Sequence, residues 1–313
     1  MVQSIGTTAA SAQLSGTGTI TGFSTMSSSG VILAVVFCES TETSPTAYAM
    51  SGPLGSPYNF NLVGAYINGD EQSIYLFAMP FTAALVNATF TLTPSGQNSE
   101  YFGFVLIEAM GSQNSTDPVG TPNWGTSTGT NIGGLPPAAT TVSATSNAGQ
   151  NVLYVTNQTS FVFYNTIVVN AGGPTQESVN IGGVGNGILY VTNLKYTHNA
   201  GEPVTMTGTQ IIITNANDMI LGLVMDEAGQ TDVIVGANGY TTAISTTNFS
   251  ANVGAACGVV YLVVNAIGTY NPTATDTNGG QWVVGAVAIK AAVAAPPPPP
   301  LTRPPLHSGW PAA

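Results

Sequence analysis

Apolar runs of strand length, broken by clusters of Gly, Ser, Asn and Pro, recur from Leu14 to about Gly120. The pattern predicts strands at Gly18–Phe23, Val31–Cys38, Phe60–Ile67, Gln72–Pro80, Asn87–Pro94 and Phe102–Ala109, with turns at Ser27–Gly30, Ser51–Tyr58, Asn68–Asp70 and Pro94–Glu100. ATFTLTP alternates apolar and polar positions, as a strand with one wet face does, because successive side chains point to opposite faces. VILAVVF and FGFVLIEA do not alternate, so they predict strands covered on both faces by a stacked sheet or a neighbouring domain. Turns spaced about ten residues apart fit a sandwich.

Gly120–Ala139 is dominated by Gly, Thr, Ser and Pro and reads as a connector. Beyond it, Thr140–Val204 carries compact strand patterns with Gly-rich turns (NVLYVT, FVFYNTIVVN, SVNIGGV, GILYVTNLKYTH, EPVTMT) and reads as a small β-domain. From Thr207 the first pattern resumes in TQIIITNANDMILGLVMD, ACGVVYLVVNAIG and QWVVGAVAIKAA. The expected fold is therefore all-β: an antiparallel, jelly-roll-like β-sandwich built from residues 1–135 and 207–292, with a small β-domain, 136–206, inserted in a surface loop. Three sequential domains would fit the same pattern. The end, residues 293–313, is a proline-rich extended tail, because successive prolines remove donors and fix φ. It reads either as an arm docking on a neighbour through Trp310 or as a solvated spacer.

Composition narrows the function. Charged residues are 5% of the chain against 43% hydrophobic, so the surface is dressed in Ser, Thr, Asn, Gln and Gly. Fourteen Asp and Glu against three basic residues, Lys195, Lys290 and Arg303, give a net charge of −11. Nucleic-acid binding needs clustered Lys and Arg, so no nucleic-acid partner is expected. No apolar run approaches the roughly 18 residues of a spanning helix, and no membrane insertion is expected. Cys38 and Cys257 lie in apolar strand patterns, which favours two buried thiols over a disulfide. MVQSIGTTAASAQLSG has neither a basic start nor a continuous apolar stretch and does not read as a secretory signal. A surface-type composition without an export signal is what a virion protein, assembled in the host cytoplasm and released by lysis, would have.

The flanking stretches SSSGVILAVVFCES, GSPYNFNLVGAYINGDEQSIYLFAMP, NATFTLTPSGQNSEYFGFVLIEAMGSQNSTDPVG, TNANDMILGLVMDEAG and AIGTYNPTATDTNGGQWVVGAVAIK resemble a β-sandwich recurrent in virion proteins of tailed bacteriophages and in bacterial surface proteins. The carrying features are the loop Asp117–Gly120, followed by a connector and the strand Ala216–Gly222. The middle, closing on LKYTHNAGEPV, is similar to a small phage-fibre module, and the end with Arg303, Pro304, Pro305 and Gly309–Trp310–Pro311 resembles tails of minor tail proteins of actinobacterial phages. The resemblance implies architecture and virion location, and it brings no catalytic motif with it.

Candidate chemistry is sparse. Gly125–Thr126–Ser127–Thr128–Gly129 matches the G-x-S-x-G spacing of a nucleophile elbow, but it lacks the strand before and helix after that expose the serine, and only His198 and His307 could act as base. Asp70–Glu71 and Asp226–Glu227 are adjacent pairs whose side chains would point apart, so they read as solvated turn acids and not as a glycosidase pair. No Ca²⁺ loop or zinc spacing is present, and no cofactor or metal is expected. His198 reads as a turn residue bonded to backbone. The candidate ligand residues are aromatic: Trp124 in the connector, Tyr58 and Tyr240 in turns, and Trp310 in the tail, able to stack on sugar rings or to pack against another subunit.

The expected function is thus non-enzymatic: a structural and adhesive component of a bacteriophage virion, of minor tail or tail-fibre type, acting by homo-oligomeric assembly with other virion subunits and by host attachment. A carbohydrate-binding adhesin meeting a host-surface glycan and a capsid decoration protein are the alternatives.

Overall fold

The structure is a computed structural model, and it describes residues 3–13, 17–39, 47–51, 60–67, 72–95, 101–112, 118–135, 138–161, 165–206, 208–226, 232–246 and 255–292. The first part of the chain gives β1 (Ser4–Gln13), β2 (Gly18–Phe23), β3 (Gly30–Glu39), β4 (Ala47–Ser51), β5 (Asn61–Ile67), β6 (Ser73–Phe81), β7 (Ala88–Ser95), β8 (Tyr101–Met110) and β9 (Asn123–Gly133). The middle gives β10 (Ala138–Thr141), β11 (Val152–Tyr154), β12 (Thr166–Val169), β13 (Glu177–Gly185), β14 (Ile188–Val191) and β15 (Pro203–Met206). The last part gives β16 (Ile211–Ile213), β17 (Met219–Asp226), β18 (Val235–Gly236), β19 (Thr241–Thr246), β20 (Ala256–Val263), β21 (Gly268–Tyr270) and β22 (Thr273–Ile289). The fold is all-β and sandwich-like, and the strand pairs are antiparallel.

Two large sheets form the centre. One runs β1-β8-β3-β6-β5; the other runs β9-β22-β17-β20-β19, with β18 also pairing along β22. Their facing side chains merge into one core, with Val31, Leu33, Val35 and Phe37 of β3 packed in the same cluster as Met219, Leu221, Leu223 and Met225 of β17. The intervening residues of β3, Ile32, Ala34, Val36 and Cys38, face the other way into a second core with Ile20 and Phe23 of β2 and Phe90 and Leu92 of β7. The second large sheet repeats the device: Ile220 and Val224 of β17 and Trp282 and Val284 of β22 meet Ile211 and Ile213 of β16 in a third core.

The molecule is therefore layered more deeply than a two-sheet sandwich, and this is the physical reason for the unbroken apolar runs. In β3 both faces are dry, and Val31–Val36 are wholly buried. Each Val, Ile or Leu in this run contributes about 1.5–3 kcal/mol on burial, so the central strands are fixed in register far more firmly than any edge. β7, on an outer layer, alternates as its sequence requires, with Phe90 and Leu92 buried and Thr89 and Thr93 exposed.

Residues 138–206 build a separate six-stranded sheet, β10-β15-β12-β13-β14-β11, around their own core of Val142, Leu153, Ile167, Val169, Leu189 and Val204 among others. Pairing of Ala138 with Met206 brings the two ends of this segment side by side.

Two expectations are corrected here. Gly120–Ala139 is not a plain connector: residues 123–133 form β9, whose register with β22 runs from Asn123 opposite Ala286 to Gly133 opposite Thr273. A strand whose large apolar residues are only Trp124 and Ile132 is held by ladder hydrogen bonds and by its neighbour, which propensity does not encode. The chain also enters its first sheet earlier than Leu14, as β1 pairs with β8 through Gln13 opposite Phe102. Cys38 and Cys257 are both buried thiols, not a disulfide, in agreement with the sequence reading.

Candidate ligand-binding cleft

β5 is the edge of one large sheet and β9 the edge of the other, and the contact of Tyr66 with Trp124 places the two on the same side of the sandwich. There Trp124 of β9 stands directly opposite Gly285 of β22. Its indole occupies the space a side chain at 285 would need: a Cβ there would collide with the six-membered ring. Glycine at 285 thus provides a flat seat, and the ring packs against the edge of the inter-sheet core. Tyr66 of β5 closes in from the opposite sheet, its ring centroid 6.0 Å from that of Trp124 with an interplanar angle of 42°.

The aromatic pair forms one end of a furrow between β5 and residues 118–124. Pro122 packs at Gly64, where a Cβ would lie 3.1 Å from the proline ring, and the furrow continues on both sides of this point. On one side a cup of about 210 Å³ lies between Asn61–Val63 and Pro118–Thr121. On the other a cup of about 340 Å³ is lined by Ala65 and Tyr66 from β5 and by Pro122, Asn123 and Trp124. Its third wall comes from the middle sheet, with Thr166 and Val168 of β12 and Asn180 of β13. A wedge nearby sets that wall: Asn165, buried, presents its Oδ1 3.1 Å from where a Cβ on Gly125 would lie.

The polar groups in the larger cup are already oriented. The Thr166 hydroxyl donates to Asn180 Oδ1 at 2.8 Å, which leaves the Asn180 amide nitrogen as a donor and the Thr166 oxygen as an acceptor. Asn123 Nδ2 donates to the Gln210 carbonyl at 2.5 Å, which leaves its Oδ1 to accept. Among the described residues, none of the lining side chains is an acid or a base other than the tyrosine phenol. Chemically the cup combines ring faces with neutral donors and acceptors.

Of the candidate aromatics among the described residues, Trp124 and Tyr240, only Trp124 is placed at this cleft. Tyr240 sits after a turn, as expected, but it is not exposed: its ring is buried in the third core with Ile234 and Val260, and burial pushes its phenol well above the ordinary range, with Tyr270 adding to the rise. A ring so placed offers no face to a sugar. Tyr58 and Trp310 lie outside the described residues, as do Asp70, Glu71, Glu227 and His307. Asp226 ends β17 fully buried, paired with Ala256 of β20 on one side and Trp282 of β22 on the other, which corrects its reading as a solvated turn acid. Ser127 lies within β9 opposite Trp282, in mid-strand and not on an elbow.

His198 departs most from its sequence reading. Its backbone does pair with Ser146, but its ring is fully buried between two carboxylates, Nε2 2.6 Å from Glu177 Oε1 and Nδ1 2.6 Å from Glu202 Oε2. Glu177 also accepts from the N–H groups of Lys195 and Tyr196. Burial would raise the Glu177 carboxyl, but the donors from Lys195, His198 and Tyr196 outweigh it and hold it below its usual value. Glu108 of β8 is held down in the same manner: against burial, it accepts from the N–H groups of Met26, Thr7 and Ser27 and from the Ser27 hydroxyl. Both are internal clamps. Among the described residues no group of three or more His, Cys, Asp and Glu side chains is placed to hold a metal ion, and no helix is long and apolar enough to cross a membrane.

Sequence reading missed Tyr66, Thr166 and Asn180. Tyr66 stands in a strand where an aromatic normally means core, and the other two come from a distant sheet through tertiary docking, for which local pattern holds no signal. Comparison with family models, with curated proteins and with solved structures found no match.

Proposed function

We propose that this chain is a structural and adhesive component of a tailed-bacteriophage virion, of minor tail or tail-fibre type, that works by subunit packing and surface contact and turns over no substrate. The observation that carries the reading is the layered stack itself. Strands dry on both faces make a rigid block, and with 5% charged residues its surfaces can meet like surfaces with few ions to desolvate. Large apolar side chains are nevertheless left in water at one end. Met26 is 73% and Val86 80% exposed, on loops tied together by Thr25 N–H to Leu85 O and Leu85 N–H to Thr25 Oγ1. Preformed, apolar and rigid, such a tip fits a subunit contact. The resemblance of both flanks to phage virion sandwiches, and of the middle to a fibre module, points the same way, with residues 136–206 as an inserted module.

Mass spectrometry of purified particles from a host carrying the gene, with light scattering of the isolated protein, tests the reading. The chain is expected in the particles and as an oligomer in solution. A monomer at high concentration that is absent from particles would overturn it, and a particle reconstruction placing it on the head would replace the tail assignment with a capsid decoration role.

A further inference from the structure

We propose that the cup between Tyr66, Trp124 and Asn180 binds a neutral oligosaccharide, with Trp124 as the stacking platform. This goes beyond the virion reading and stands independently of it.

The ligand class follows from what the walls can and cannot satisfy. A carboxylate, phosphate or ammonium group entering the cup would meet no counter-charge among the described residues, whose lining side chains include no acid or base other than the Tyr66 phenol. The net charge of −11 opposes acidic polymers further. A purely apolar ligand would cover the Asn180 amide, the Thr166 oxygen and Asn123 Oδ1 without pairing them, and each buried unpaired group costs about 1–3 kcal/mol. A neutral pyranose has what both kinds of wall require: an apolar ring face for the indole and equatorial hydroxyls that donate and accept. The cup's volume of about 340 Å³ falls within the roughly 300–1,000 Å³ range of small-molecule sites.

The walls are also held in place before any ligand arrives. Gly285 seats the indole from behind, the Thr166 hydroxyl fixes the Asn180 amide, and Gln210 fixes Asn123. A site whose rotamers are already set loses little entropy on binding.

The test is a glycan array carrying neutral oligosaccharides beside uronic-acid and sialylated ones, probed with the full chain, with each hit titrated calorimetrically. Neutral glycans are expected to dominate, with acidic analogues at least tenfold weaker. Trp124→Ala is expected to weaken the best hit at least tenfold and Asn180→Ala at least threefold, while Trp124→Phe retains part of the affinity. Asn180 is exposed, so its variant keeps the fold and decides the matter together with Thr166→Val if Trp124→Ala does not fold. Absence of any neutral hit, preference for acidic glycans, or unchanged affinity in Asn180→Ala and Thr166→Val would each overturn the proposal.

Discussion

The Nε2 of His198 lies 2.6 Å from Oε1 of Glu177, inside the core of the middle sheet and out of reach of water on the histidine side. With Glu202 Oε2 2.6 Å from the other ring nitrogen, both nitrogens of the ring face carboxylate oxygens within hydrogen-bond distance. This bridge ties the start of β13 to the segment that closes the sheet. Replacing His198 with Phe leaves two carboxylates facing an apolar ring and is expected to cost about 3–5 kcal/mol, measured as the fall in unfolding free energy in urea.

Acid should loosen the same region. The Glu177 carboxyl sits below its unfolded value of 4.5, so its stabilisation is complete above that value and is lost as the pH falls through the lower folded one. Glu108 behaves alike. Thermal melting followed from about pH 6 to about pH 3 should show a falling melting temperature, and a flatter profile in Glu108→Gln combined with Glu177→Gln. Equal slopes in variant and wild type would show that other groups carry the acid response.

Glu108 has a second, local role. Four donors from Thr7, Met26 and Ser27 converge on one buried carboxylate, so Glu108→Ala removes four part-buried hydrogen bonds to a charged acceptor and is expected to cost about 3 kcal/mol or more. Hydrogen exchange should accelerate in residues 24–29 before the central strands.

Gly285→Ala probes the seat of the indole. A methyl group at 285 meets the Trp124 ring, and displacing a packed ring costs roughly 1–3 kcal/mol. Trp282 remains buried in the variant and serves as an internal reference, so a changed emission spectrum with unchanged far-UV dichroism is the expected readout.

Met26→Ser with Val86→Ser addresses assembly. Both side chains are largely in water, so monomer stability should stay within about 0.5 kcal/mol, while self-association measured by sedimentation weakens. An unchanged association constant would remove this tip as a subunit contact.

Cys38 and Cys257 lie in different cores, 2% and 0% exposed. Neither should react with a thiol reagent until the protein unfolds, because the attacking thiolate is disfavoured in an apolar surrounding. Rapid labelling of either in the native state would contradict the packing.

Much of the layering was legible. The unbroken run Val31–Val36 called for cover on two faces because a strand's side chains alternate, and both covers are present. β9 was not legible: Gly125–Gly129 reads as loop by composition, and only the facing ladder of β22 makes it a strand. Tyr240 and His198 failed for a related reason. Turn-type neighbours say where the chain reverses, but whether a side chain there points to water or inward depends on what packs over it.

Composition and period, taken from the sequence alone, determined that this protein is a β-structure of stacked, weakly charged sheets, because alternation and β-branched content are local properties of the chain. Which strands are neighbours, that Tyr66, Trp124 and Asn180 share one cup, and that His198 is clamped by two acids were decided only by the tertiary structure. Those relationships join residues far apart in the chain, and the packing free energy that selects them belongs to whole surfaces and not to any one segment.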